Sequence, residues 1–511
     1  MRKTRSLIAL LLLCLLAAGC SKEPERLSPA TEPTGQVLVQ SPTEPTQPLD
    51  FGMVYQPEAG MNPYQCLRLA NRPVISLLYQ GLFSVTSQFR AEPVLCQSFS
   101  CTEDLTSYTF TLADATFSDG SPVTAEDVAA SLRASMGSAY YGDRLERVSE
   151  ITTSGNTVTL QLRQPHENLP LLLDIPIVRQ EDVAAALPVG SGAYVLRQSG
   201  TGAVLLRRAD WWSEYPGAAQ FDSIRLTACA SPAEIRDLFE FGGIHLVTED
   251  PGSPSYLQYR SDYELWEYGT GILLYLGCNR NSDIGSNGLV RAALVRAVDR
   301  ESLTGFYRDF AQAAYLPASP QSDFYDSTLA ASYSYDPTIL QGILRDANLT
   351  GKEVTLLVCS DTTARVDAAR AIADNLNACG LKVTVNALPG GEYDDALYYG
   401  NYDLHLGETR LSPNFDLSPF FQSGGSLSYG GMANSTCYDL CLSALENSGN
   451  YYDLHRAVMD DGGLCPLLFR TYAVYATRGA LTGLMPGVDN VFHTANSRQL
   501  TDARLPNQPA E

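Results

Sequence analysis

Thiols, imidazoles and carboxylates are plentiful in this chain of 511 residues, with twelve Cys, five His and 57 Asp and Glu, so the first question is whether any are spaced for chemistry. Cys437 and Cys441 are separated by three residues, a weak zinc spacing with no second pair to complete a tetrahedral set. The sequence contains no Cys-x-x-Cys, no His-Glu-x-x-His, no Gly-x-Ser-x-Gly and no phosphate-binding loop. His166, His245, His405, His455 and His493 are scattered. His405, in a presumed strand, either reaches a cleft or is a packed imidazole. Carboxylates are everywhere, and abundance alone does not define a glycosidase-like pair. These residues favour a binding protein over an enzyme, with no catalytic residue, cofactor or metal.

One thiol stands apart. Cys20 follows basic Arg2, Lys3 and Arg5, an apolar run from Leu7 to Leu16, and Ala17-Ala18-Gly19. This resembles the secretory signal of bacterial lipoproteins, in which residues 1–19 would be cut away and the Cys20 thiol acylated. The apolar run is shorter than the roughly 20 residues a spanning helix needs, so the membrane would be met through the lipid alone. From Ser21 to Asp50, Pro24, Pro29, Pro33, Pro42, Pro45 and Pro48 deny the chain a helix, and residues 20–50 read as anchor and tether. The expected location is extracytoplasmic, lipid-anchored to the bacterial cell membrane.

Net charge is −22, and removal of residues 1–19, which carry three basic and no acidic groups, takes it to −25. So acidic a surface repels nucleic acid. Ten further cysteines follow Cys20 and the signal's Cys14. Cys96 and Cys101 flank a short segment and would pair if oxidised, while most of the others sit in apolar runs and read as buried thiols.

The elements that would position a site are clearest in the second half. Val354–Cys359 is a continuous apolar strand, Ala364–Cys379 has helical spacing, Gly380 ends that helix, and Leu381–Leu388 is a second strand. Strand, helix and strand of this length make a parallel crossover, with Tyr402–Gly407 as a further strand. Ligands of open α/β sheets sit beyond the carboxyl ends of strands, which points at Glu408–Asp416. Earlier in the chain, Ser107–Leu112 and Thr157–Leu162 alternate as half-buried strands. Between them Thr124 caps a helix, with Asp127 three residues on.

Several segments together resemble the family 5 extracellular solute-binding proteins, the oligopeptide-, dipeptide- and nickel-binding proteins of ABC importers. They are Met61-Asn62-Pro63-Tyr64 with Leu77–Leu82, Tyr108–Leu112 with Phe117–Val128, and Pro188–Tyr194. Val290–Leu294 with Ala297–Glu301, Tyr335-Asp336-Pro337 and Pro466-Leu467 complete the series. The matches keep family order over some four-fifths of the chain. The resemblance implies an α/β, two-lobed fold of the type II periplasmic-binding-protein kind, with an extra α+β domain and a ligand cleft between the lobes. The first lobe would be residues 51–66, 190–268 and 475–505, the extra domain 67–189, and the second lobe 269–474. Two or more crossing segments would act as hinge.

In peptide-binding relatives an extended peptide lies between main-chain segments of the two lobes. The corresponding segments here are Leu67–Asn71, with Arg68, Leu69 and Asn71; Tyr268–Gly271, with Gly269 and Thr270; and Glu408–Ser412, with Thr409 and Arg410. The relatives place an aspartate for the peptide amine where this chain has Ser412. Either Glu408 or Asp416 would supply that charge, or the ligand lacks a free amine, while Arg410 and Arg68 would recognise a carboxylate. The alternative for each charged residue is an exposed or lobe-bridging salt bridge, and for Tyr64, Tyr268 and Tyr472 it is packing. The implied function is capture of peptides, most simply oligopeptides, by a monomer that delivers them to an ABC permease driven by ATPase subunits. The other readings are a solute-sensing or adhesion lipoprotein, or a receptor for a non-peptide cargo such as a nickel chelate.

Overall fold

The computed structural model describes residues 51–199, 202–212, 221–481 and 484–493. The signal sequence, Cys20, the Pro-rich stretch and residues 494–505 lie outside the described residues. No helix among the described residues is long and apolar enough to cross a membrane.

Strand Glu353–Cys359, helix Thr363–Ala378 and strand Lys382–Leu388 form the crossover that their periodicity predicts, with Val354 beside Val383 in parallel. Val366, Ala369, Ile372, Ala373 and Leu376 form the helix's buried face. Gly380, at φ 110°, carries the turn out of it in a conformation that residues with a Cβ rarely adopt. Leu404–Arg410 joins the other edge in parallel. It runs past the predicted end at Gly407 because Glu408, Thr409 and Arg410 continue pairing with Leu274, Leu273 and Ile272.

That sheet continues into the rest of the molecule. Its path is Lys382–Leu388, Glu353–Cys359, Leu404–Arg410, Tyr263–Cys278, Leu464–Thr477, Leu246–Glu249, Gly52–Tyr55, Ser223–Ala228, Gly202–Arg207 and Tyr194–Ser199, with Ala311–Ala313 paired off it. Two of these strands, 16 and 14 residues long, belong to both lobes. Residues 263–269 pair with 471–477 on one side of a register break, and residues 273–277 pair with 464–469 on the other. The register breaks between Gly269 and Leu273, and such a bulge bends a strand. Gly271 lies in the break at φ 70°. Its carbonyl accepts from the Leu411 N–H at 3.0 Å, and a Cβ would come within 2.9 Å of the Leu411 carbonyl oxygen, so a side chain there would force the strands apart.

A separate antiparallel sheet, ordered Cys96–Cys101, Ser107–Leu112, Thr157–Leu162, Val148–Ser154, forms the extra unit beside the hairpin Phe83–Val85/Ala91–Pro93. Tyr108, Phe110 and Leu112 point inward, as the alternation requires. Thr124 caps Ala125–Ser135 in a reciprocal box: the Asp127 N–H donates to its hydroxyl at 3.3 Å, and its own N–H donates to Asp127 at 2.9 Å. The second Asp127 oxygen accepts from the Gln180 N–H at 2.7 Å, tying the helix to the returning chain. That chain passes through Gly190-Ser191-Gly192, where a Cβ would meet the Leu78 or Leu77 carbonyl oxygen at 2.2 or 2.3 Å.

All ten cysteines of the described region are free thiols, nine of them buried and Cys101 exposed. Cys96 and Cys101, read from sequence as a pair, end opposite ends of one extended strand. At about 3.3 Å per residue they stand roughly 16 Å apart, whereas a disulfide needs Cα atoms within about 7 Å. His405 is the packed imidazole: fully buried, with Tyr275, Tyr402 and Tyr429 edge-on at 5.5, 5.1 and 6.4 Å. Burial holds its pKa down at about 3, and burial does the same at His455, against a small opposing pull from Asp326. Both imidazoles therefore fold neutral, and the unfolded chain takes up protons first as pH falls. Stability should be level above about pH 6.5 and fall toward pH 3, each imidazole contributing about 1.4 kcal/mol per pH unit within that window. Denaturant unfolding at stepped pH checks this: His405→Leu should remove about one proton's worth of slope, and an unchanged slope would contradict it.

Candidate functional site

The strand that places Glu408, Thr409 and Arg410 at its carboxyl end also carries them to the bulged hinge. Thr409 pairs with Leu273. Arg410 extends past the bulge and donates to the Thr270 carbonyl and to Asp489. Its guanidinium also lies 4.9 Å from the Tyr140 ring centroid. One side chain of the second lobe thus touches the hinge strand, the C-terminal segment and the extra unit. Burial alone would lower the Arg410 pKa, but Asp489, Tyr140 and Tyr472 outweigh it, and the pKa is raised. Thr270 is buried, and its hydroxyl donates to the Arg470 carbonyl at 2.8 Å and accepts from the Ile272 N–H at 3.1 Å. Tyr268 is buried edge-on against Tyr472 at 5.8 Å. The Gly269 carbonyl accepts from the Asp489 N–H at 3.0 Å.

Glu408 takes part in a second network. It accepts from Arg365 and from Arg470, both at 3.0 Å, and Arg470 also pairs with Asp250 of the first lobe. Asp416 forms a third: it accepts from Arg147 of the extra unit at 3.0 Å and from the Ser418 hydroxyl at 2.6 Å. Ser412 and Asp416 line a cavity of about 20 Å³ with Arg147 and Asn414. The Asn414 amide nitrogen donates to the His166 Nε2 at 3.0 Å. Every charged residue expected from the segment Glu408–Asp416 is therefore in an ion pair, and those of Arg410 and Asp416 join distant parts of the chain.

The Leu67–Asn71 segment behaves differently. The Arg68 side chain is exposed, and the Leu69 carbonyl accepts from the Thr248 hydroxyl at 3.3 Å. Asn71 is fully buried, its amide accepting from the Gln56 N–H at 2.7 Å and donating to the Gln56 and Gly60 carbonyls. Tyr64 is packing, its hydroxyl donating to the Pro176 carbonyl at 2.7 Å.

The residue next along, Arg72, is the one at the cleft. Its guanidinium stacks 3.5 Å above Tyr140, and one of its terminal nitrogens is buried with no hydrogen-bond partner among the described residues. It lines a cavity of about 70 Å³ with Tyr140, Asp174, Asp489 and Asn490, whose side-chain oxygen is likewise unmatched. Arg72, Tyr140, Asp489 and Asn490 come from three distant stretches, so no local spacing announced them. The only sequence signal was that Arg72 adjoins an expected segment. No group of acidic, His and Cys side chains among the described residues is arranged to hold a metal ion.

Residues 90–428 match the family described as bacterial extracellular solute-binding proteins, family 5 Middle. The glutathione-binding protein GsiB of Escherichia coli K12 is 24% identical over 398 residues, 71% of this chain and 75% of that protein. The substrate-binding protein CtaP of an ABC transporter from Listeria monocytogenes superposes with a TM-score of 0.71 at 17% identity, covering 89% of this chain and 98% of CtaP. The oligopeptide-binding protein AppA of Bacillus subtilis, solved with a nonapeptide, gives 0.62 at 17% identity, with coverage of 88% and 97%. These likenesses establish the two-lobed α/β fold.

If the Arg410–Asp489 pair fastens the lobes, Arg410→Ala should cost about 3 kcal/mol by leaving Asp489 unneutralised, and adding Asp489→Asn should cost much less than it does alone. A double-mutant cycle by denaturant unfolding checks this, and additive effects would contradict it.

Proposed function

We infer the function from one premise: this chain belongs to the bacterial extracellular solute-binding proteins of family 5, the solute receptors of ABC importers. From it we infer a receptor that captures peptides between its lobes and presents them to a membrane permease powered by ATPase subunits. Residues 51–66, 190–268 and 475–505 serve as first lobe, 67–189 as extra domain and 269–474 as second lobe. Cys20 carries the lipid, and residues 20–50 tether a monomeric body outside the cytoplasm.

The observation that carries the peptide reading is the pair of unmatched groups in one small cavity, the Arg72 nitrogen and the Asn490 oxygen. A peptide group supplies both complements, a carbonyl for the donor and an N–H for the acceptor. Glutathione, the ligand in GsiB's name, is itself a tripeptide, and the AppA complex holds a nonapeptide. The ion pairs give the termini a route in. A peptide carboxylate replaces Asp489 on Arg410, with Arg68 as the exposed first contact. An ammonium replaces Arg147 on Asp416 or Arg365 on Glu408. Each exchange keeps the peptide terminus paired, while the displaced Asp489, Arg147 or Arg365 is left to solvent. Tyr268, Gly269, Thr270, Leu69, Asn71, Thr409 and Ser412 shape the main-chain walls.

Two experiments test this. Denaturing the purified mature protein should release a peptide detectable by mass spectrometry, and calorimetry across di- to hexapeptides should find binding that Arg72→Ala weakens about tenfold. No released solute and no binding to any peptide would overturn the reading. Separately, Cys20→Ala should move the protein from the membrane fraction to the medium or periplasm with peptide binding intact, and retention at the membrane would refute the anchor.

A further inference from the structure

The largest cavity among those described lies away from the charged cleft, between the extra unit and the second lobe, with a volume of about 840 Å³. One wall is strand Cys96–Cys101, from which Cys96, Gln97, Ser98 and Phe99 all line the space. Successive residues of a strand face opposite ways, so a cavity against one face would touch every second residue. The register with Ser107–Leu112 shifts between Cys96 and Ser98, so alternation is interrupted here, and the four lining residues span this bulge and Phe99 beyond it.

The strand's outer edge is open. The strand ends the sheet, paired on one side with Ser107–Leu112. Among the described residues no other strand pairs with Gln97–Cys101, and the one further contact to their main chain is the Cys96 thiol donating to the Ser98 carbonyl at 3.3 Å. Gln97 to Cys101 are all exposed, Phe99 by 47%. Native proteins often blunt such an edge with charge or proline; Gln97–Cys101 carries neither, and its one irregularity is the register shift between Cys96 and Ser98.

The remaining walls suit an extended, partly apolar chain. Phe83, Phe89 and Phe324 surround the space with Phe99. The side-chain nitrogen of Asn168, also on the wall, is buried with no hydrogen-bond partner. Two straps join the extra unit to the second lobe beside it. Arg90 grips Asp323 through two hydrogen bonds of 2.6 and 2.8 Å, and Glu167 accepts from the Ser448 N–H and hydroxyl, each at 2.6 Å. The first strap is well exposed on both sides and costs little to break.

We propose that this cavity is a second peptide site, in which an extended segment of three or four residues adds as a strand to the Cys96–Cys101 edge. Its main chain pairs with Gln97–Phe99, a carbonyl accepts from Asn168, and one apolar or aromatic side chain enters the phenylalanine wall. Recognition is by main chain, so it needs no free terminus, unlike the charged cleft.

The test uses the full chain and a capped probe, Ac-Thr-Phe-Thr-Val-NH2, with its main-chain N-methylated counterpart. Hydrogen exchange should slow at 97–101 on adding the capped peptide. Calorimetry should show at least about tenfold weaker binding for the N-methylated form, which leaves the protein untouched, and about fivefold weaker binding for Phe99→Ala. Phe99→Ala should leave the solute released from the cleft unchanged, which separates this proposal from the cleft reading. Four outcomes would overturn it: no binding of the capped peptide, binding indifferent to N-methylation, protection at 268–271 and 408–412 instead of 97–101, or a dimer built on this edge that excludes the peptide.

Discussion

Two antiparallel strands, Tyr263–Cys278 and Leu464–Thr477, hold this molecule together and also let it bend. They belong to both lobes, so each lobe's sheet is completed by residues that continue into the other. The continuous ladder would be stiff but for the register break between Gly269 and Leu273, where the hydrogen bonding is interrupted and Gly271 takes a left-handed turn. We propose that any motion between the two halves is confined to these few residues. A hinge of this kind absorbs large dihedral changes while the packed halves move as bodies.

Everything at the cleft hangs from that break. Arg410 and Glu408 end a strand paired with the hinge strand, Arg470 lies on the other crossing strand, and Asp250 and Asp489 approach from the first lobe's side. The chain carries a net charge of −22, yet this region gathers guanidiniums, each matched to a carboxylate on a neighbouring part, with Arg72 left partly unmatched. Matched pairs at these positions hold the charges without isolating one in low dielectric.

Much of the scaffold was legible in the sequence. The crossover at 353–388 announced itself through apolar runs, helical spacing and Gly380, and the Thr124 box through residue types at a fixed spacing, because each is a local interaction. The cleft was legible only in part. Arg410 and Glu408 follow from the rule that ligands meet strand ends. Asn71 lay in an expected segment, but its amide is bound to Gln56 and Gly60, while its neighbour Arg72 reaches the cavity. Tyr140, Asp489 and Asn490 had no local signature, since what brings them together is tertiary packing. His405 and the pair Cys96/Cys101 show the same limit from the other side. Residue type suggested chemistry, and burial or strand geometry removed it.

The central claim is that ligand binding works through this hinge. With Cys101→Ser removing the exposed native thiol, dyes placed at Phe241→Cys in the first lobe and Tyr398→Cys in the second, both strongly exposed positions, would report the distance between lobes. Single-molecule energy transfer should then show a shift to one shorter, narrower distance when a bound peptide is present. A peptide that binds tightly while leaving that distribution unchanged would contradict the account.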